Sequence, residues 1–269
     1  MSRPSHLPSF SNPPLYEVVL GVQFNPPQQY SAVNARDVWE LFRDEFSTVE
    51  EHHALEKKFE AFGGVNPKPN FEFKVGLPPS KIRLHFISEE KNSLIQFQED
   101  RFLANWRKLA NEQSYPRFDN IKASFFRELA KLGDYLERNL ECKLDINQSE
   151  VSYINFIRVN DFSEIENWIK LWGGNQLKVD SLNLTYNEEV KDKVSQKPFA
   201  RMYHELSTVV LPPSNEKAYR LAITFRGKPD GIDIPASMKF MELAREAIVT
   251  RFDEITTDKA HEYWGKIHE

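Results

Sequence analysis

The chain has 269 residues, 40 % hydrophobic, 13 % aromatic and 28 % charged, a balance that fits a packed core and excludes a disordered or collagen-like chain. Lys and Arg number 35 against 40 Asp and Glu, for a formal charge of −5, so affinity for nucleic acid or acidic lipid would need a local patch. The one cysteine, Cys142, allows no intrachain disulfide and no cysteine-built metal centre, and no apolar run approaches the roughly 18 residues of a membrane span or a signal peptide's core. A reducing cytoplasm is the expected location.

Residues 1–14 carry four prolines and are expected to be flexible. In 17–24, Val18, Leu20, Val22 and Phe24 alternate with period two until Asn25-Pro26-Pro27 stops the run, which predicts a strand. From Asn34 to about Val49 the apolar residues Val38, Phe42 and Phe46 recur every fourth position, with Asn34 and Asp37 available to cap, which predicts an amphipathic helix. A short strand is expected at 58–62, a clear one at 81–88 with Ile82, Leu84 and Phe86 on one face, and two more at 94–98 and 102–106. Pro116 then opens a long helix with the stripe Ile121, Phe125, Leu129, Leu132, Leu136 and Leu140.

The order of elements then starts again. Ser152 to Val159 reads as a strand, Ser163 with Glu166 as the capping box of a short helix ended by Gly173-Gly174, and 181–187, 200–211 and 218–226 as strands. A last helix carries Met241, Ala244, Ile248, Phe252 and Ile255. The predicted fold class is α+β: two similar strand-helix-antiparallel-sheet-helix halves, 15–145 and 146–269, joined edge to edge in one pseudo-duplicated unit, with the two long helices on one sheet face. Val18, Leu20 and Val22 are expected to share a core region with Ile154 and Phe156. This unit resembles the repeat of TATA-binding-protein-like and DNA-gyrase-inhibitor-like folds, which leave a concave sheet face open.

The chemistry-bearing motifs are few. No phosphate-binding glycine loop and no G-x-S-x-G elbow occurs. His52-His53 are adjacent and therefore point apart on a regular element, which favours a solvated loop over a metal site. His204 is in phase with Met202, Leu206 and Val210 and reads as a hydrogen-bonded core histidine, and Cys142 as an inert thiol. No cofactor and no metal are therefore expected. The segment from Ile95 to Lys108 stands out: with Phe102, Ala104 and Trp106 on one strand face, Arg101, Asn105 and Arg107 share the other, and Tyr115 and Arg117 follow nearby. These five are the candidate ligand- or partner-binding residues, able to hold an acidic or amide-bearing group. The alternative is that the arginines pair with Glu99 and Glu112 inside the fold.

Several stretches, Glu17 to Phe24, Trp39-x-x-Phe42-Arg43-x-x-Phe46, Arg101-Phe102-x-x-Asn105-Trp106-Arg107, Tyr115 to Phe118, and Ile255-Thr256 with His261-x-x-Trp264-Gly265, resemble an uncharacterised bacterial family described as sporadically distributed. That resemblance implies no activity and no catalytic residue, but a patchy distribution fits an accessory part of a laterally transferred defence or toxin-antitoxin cassette. The leading expectation is a non-enzymatic cytoplasmic binding or scaffold protein, self-associating as a dimer and recognising a partner protein or small ligand. An enzyme would require His85 or His204 to meet carboxylates from the other half. A nucleic-acid binder would require Arg83, Arg101, Arg107, Arg220 and Arg226 on one continuous exposed face.

Overall fold

The computed structural model describes residues 7–63, 82–109, 114–172 and 179–267. Its centre is an antiparallel sheet of nine strands, in which β2 (Leu15–Phe24) and β7 (Ile146–Val159) lie side by side. Outward from β2 run β6 (Arg101–Arg107), β5 (Ser93–Gln98), β4 (Ile82–Ile87) and the edge strand β3 (Thr48–His53); outward from β7 run β10 (Glu216–Gly227), β9 (Pro198–Leu211) and the edge strand β8 (Asn183–Lys191). A ribbon of β1 (Ser9–Phe10) and β11 (Lys266–Ile267) ties the ends of the described chain together. The α+β class is as the sequence predicts.

Both long helices, α2 (Phe118–Leu140) and α3 (Ile234–Ile255), cover the same sheet face and touch each other, α2 over β6 and α3 over β7 and β10. Their predicted stripes are buried throughout, against Val18, Leu20, Val22 and Phe24 of β2. Burying an apolar stripe on an apolar strand face is worth about 25 cal/mol per Å² of apolar surface, which outweighs the weak propensities of the individual residues. The ladder places Phe102, Ala104 and Trp106 opposite Val22, Leu20 and Val18, so the predicted pleat of β6 holds.

Several elements depart from the sequence reading. Helix α1 (Asn34–Glu40) ends well before Val49: residues 41–46 continue as turns, Leu41 N bonding Val38 O and Phe42 N bonding Trp39 O, and the chain becomes extended at β3. The turns still bury Phe42 and Phe46, which is why the fourth-residue spacing persists, while β-branched Thr48 and Val49 pair with Ile87 and Phe86 of β4. Residues 58–62 form no regular element and join no ladder. In β7 the phase is opposite to expectation: Val151 and Tyr153 pair with Leu20 and Val18, whereas Ile154 and Phe156 face the other side, both faces of this central strand being partly apolar. The capping box uses Asp161 and Glu164 instead of Ser163 and Glu166 and starts a 3-10 turn. Gly173-Gly174 lies outside the described residues.

The stretch expected to be flexible is, from residue 7, part of the body: Leu7 and Phe10 are buried, and Ser11 N and Asn12 N donate to Gly265 O and Trp264 O. Trp264 is 3 % exposed and packs on Phe10, Trp168 and Phe252. The short helix α4 (Asp258–Tyr263), capped by the Thr257 hydroxyl on Ala260 N, delivers it there.

Candidate ligand-binding cavity

The strand pleat separates the predicted residues. Arg101, Asn105 and Arg107 lie on the sheet face away from the helices, Tyr115 and Arg117 on the helix side. The five therefore do not form one site.

On the face away from the helices, residues 54–63 cross the sheet as a strap. Leu55 exchanges two hydrogen bonds with the Gln98 amide (2.9 and 3.0 Å), Lys58 N donates to Gln23 Oε1 at 3.0 Å, and Arg101 donates to Gln23 Oε1 at 2.6 Å and Glu56 O at 2.9 Å. At the far end the Glu60 side chain, 4 % exposed, meets Arg201 Nε at 3.1 Å and Arg226 Nη1 at 3.7 Å, and accepts from the Tyr203 hydroxyl at 2.8 and 2.9 Å. Glu150 joins Arg226 Nε at 2.7 Å and lies over Gly21, where a Cβ would come within 2.9 Å of its Cγ. Arg101 is 6 % exposed, and burial lowers the pKa of its guanidinium while Glu150 and Asp100 oppose the shift. The gap between these groups and the strap measures about 10 Å³, the space of about one water.

The arginines at 83, 101, 107, 220 and 226 do share this face by register. The face is not continuously exposed, because the strap covers Arg101 and approaches Arg226. Asn105 is held by Gln96 (2.8 Å) and Glu17 (2.7 Å), and Arg107 donates to Lys91 O at 3.0 Å. The pairing considered for Arg101 with Glu99 and Glu112 gives way to Gln23 and Glu56, and Glu112 lies outside the described residues.

On the helix side a cavity of about 430 Å³ opens between α3, the start of α2 and the β1 segment, within the size range of small-molecule sites. Its apolar wall comes from Phe10, Leu15, Phe118, Ile248, Val249 and Phe252, and its polar lining from Tyr115, Arg117, Tyr153, Asn155 and Arg245 together with one carboxylate, Asp119, which pairs with Lys122 at 3.6 Å. Tyr153 stands on β7 in the helix-facing phase, and Tyr115 arrives from the loop before α2, stacked against Trp106 at 5.3 Å. Their hydroxyls are 3.2 Å apart. Burial keeps both phenols protonated, pushing Tyr153 up to about 12 and Tyr115 well above its ordinary value. One O–H serves the bond between them; the other remains to donate elsewhere.

Arg245 sits on α3 with its guanidinium 5.5 Å from the centre of the Phe118 ring, and it interacts with the Tyr153 hydroxyl. Neither Arg245 nor Arg117 forms an ion pair with a carboxylate among the described residues. Arg117 has φ 72° and ψ 149°, a backbone conformation that costs a non-glycine residue of order 1–3 kcal/mol and that concentrates at functional sites. The cavity thus combines an apolar body with a donor-rich polar lining in which two guanidinium groups face one carboxylate, Asp119.

Among the described residues, His85 lies opposite Glu50 and His204 beside Glu188, so each meets a carboxylate near it in sequence rather than one from across the molecule. His204 is buried, stacked on Tyr186 at 4.3 Å, with Nε2 3.0 Å from Glu188 Oε1; burial lowers its pKa. Cys142 is half-buried beside Lys143 O. Sequence reasoning missed Tyr153, Asn155 and Arg245, whose only local signal is a polar atom carried on an otherwise apolar strand or helix face. No helix among the described residues is long and apolar enough to cross a membrane. No protein-family model matches the chain, and no curated protein matches it.

Proposed function

We propose that the protein is a binding protein for a small amphipathic acid, with an apolar body held by α3, Phe10, Leu15 and the start of α2 and a carboxylate or phosphate group at the Arg245 end. The observation that carries this reading is a pair of arginines that form no ion pair among the described residues, outnumbering the one lining carboxylate, Asp119, beside a tyrosine pair with a spare donor on an apolar cavity. Charge-assisted hydrogen bonds of this kind contribute about 1.5–3 kcal/mol each. Decanoate, decanol and decylamine, offered separately to the full-length chain in a thermal-shift experiment, test the reading. Decanoate should raise the melting temperature most and decylamine not at all; equal shifts for all three would mean that the polar end selects nothing.

A common plan for the two halves belongs to the same proposal, since both line the cavity. In its support, each half puts its first strand at the centre, its last strand beside it, and the others in reverse order towards the edge, with a long helix returning over the same face. Superposing β2, β6, β5, β4 and α2 on β7, β10, β9, β8 and α3 should align both the strands and the helix. Misaligned helix axes would reject a duplication.

A further inference from the structure

At the β3 edge of the sheet, on the face away from the helices, two histidines and a glutamate converge. Glu50 and His52 are two residues apart on β3 and so point the same way, and the antiparallel register puts His85 of β4 directly opposite Glu50 and diagonal to His52. The imidazoles of His52 and His85 stack with centroids 3.8 Å apart, and His52 Nε2 is 3.2 Å from Glu50 Oε2. One ligand atom from each of the three residues lies within 4.8 Å of the others. The Nε2 atom of His85 is buried and has no hydrogen-bond partner among the described residues.

We propose that Glu50, His52 and His85 bind a divalent transition-metal ion of the zinc and cobalt type. Two imidazoles and one carboxylate are a donor set for such ions, whereas calcium and magnesium favour oxygen ligands alone. Three protein ligands leave a coordination position for water, as in open rather than closed sites. Behind His85 stands its register partner Gln96, itself fixed by Asn105 and Arg83, a supporting layer of the kind that orients ligating histidines. Among the described residues, Arg83 is the cation that the register puts beside the cluster. It lies opposite His52 in the ladder with Nη1 on Gln96 Oε1 at 2.9 Å.

The test uses the full-length chain stripped of metal with a chelator, then titrated at pH 7 with Zn2+ by calorimetry and with Co2+ by visible absorption. One ion per chain should bind, with cobalt bands of a low-coordinate nitrogen and oxygen site, and Zn2+ should raise the melting temperature. His85→Gln should weaken binding by more than about a hundredfold, since even supporting residues outside the ligand set cost 10- to 100-fold. The His52 side chain is 39 % exposed, so His52→Gln should keep the fold and lose the affinity equally. His53→Gln, on the same strand but the opposite face, should leave binding unchanged. Failure of the wild type to bind one equivalent, retention of its affinity by His52→Gln and His85→Gln, or an equal loss in His53→Gln would overturn the proposal.

Discussion

The two faces of the sheet enclose interiors of opposite chemistry. Towards the helices, Val18, Leu20 and Val22 share an apolar core with Leu129, Leu132 and Ile248, groups that need no particular partner, and where that layer ends, among Phe10, Leu15, Phe118, Ile248 and Phe252, a cavity of about 430 Å³ remains. On the other face, Gln23, Gln98, Arg101, Arg201 and Arg226 are covered by residues 54–63, and the gap left among them is only about 10 Å³. An apolar face is stabilised by area and tolerates a cavity, whereas a buried polar face requires an acceptor for each donor and therefore closes tightly. The difference explains why the candidate ligand site is on the helix side although the most conspicuous polar residues are on the other.

The largest way to break this comparison is Glu60→Ala, which leaves Arg201, Arg226 and the Tyr203 hydroxyl buried without their shared acceptor. Urea denaturation should show a loss of about 3–5 kcal/mol; a loss below about 1 kcal/mol would mean that the strap adds nothing to the folded interior. Leu129→Ala tests the other face, where deleting a fully buried side chain should cost about 2–5 kcal/mol according to how far the helices settle. Similar losses from one charged and one apolar residue would sharpen the contrast in mechanism, and only the Glu60 loss should shrink when glutamine replaces alanine.

Acid should act through His204 and His261, which are buried, and the half-buried His85. The pKa of His85 is lowered to about 4 in the folded state, and burial lowers His204 and His261 as well. Below the ordinary histidine value of about 6.5 the unfolded chain binds protons that the folded chain does not, so stability is lost as pH falls through that value towards 4 and is full above it. Denaturation midpoints measured from pH 7.5 to 4.5 should fall monotonically, and His85→Gln should flatten part of the slope. A midpoint that rises on acidification would contradict the assignment. The smallest effect belongs to Arg107→Ala, whose exposed bond to Lys91 O should be worth less than about 0.5 kcal/mol in the same measurement.

Much of the helix-side fold was legible because period-two and helical periodicities report burial against an apolar neighbour, as in β2, β6, α2 and α3. The edge strand β3 was not, since Thr-Val-Glu-Glu-His-His is solvated and its partner β4 supplies the pairing. The pleat of β6 correctly put Arg101, Asn105 and Arg107 on one face, but alternation says which side a residue faces and not what covers that side. The strap has no periodicity of its own, and Glu60 meets Arg201 at a separation of 141 residues. Tyr115 and Arg117 stood out as an aromatic and guanidinium mixture, whereas Arg245 and Tyr153 join them only through the docking of α3 on β7.

The central claim is that the Arg245 end of the cavity holds an acidic group. Calorimetric titration of decanoate into the wild type, Arg245→Ala and Arg107→Ala measures this directly. The account predicts saturable binding that Arg245→Ala weakens by roughly 10- to 100-fold, the value of one charge-assisted contact, and that Arg107→Ala leaves unchanged. Binding insensitive to Arg245, or lost with Arg107, would contradict it.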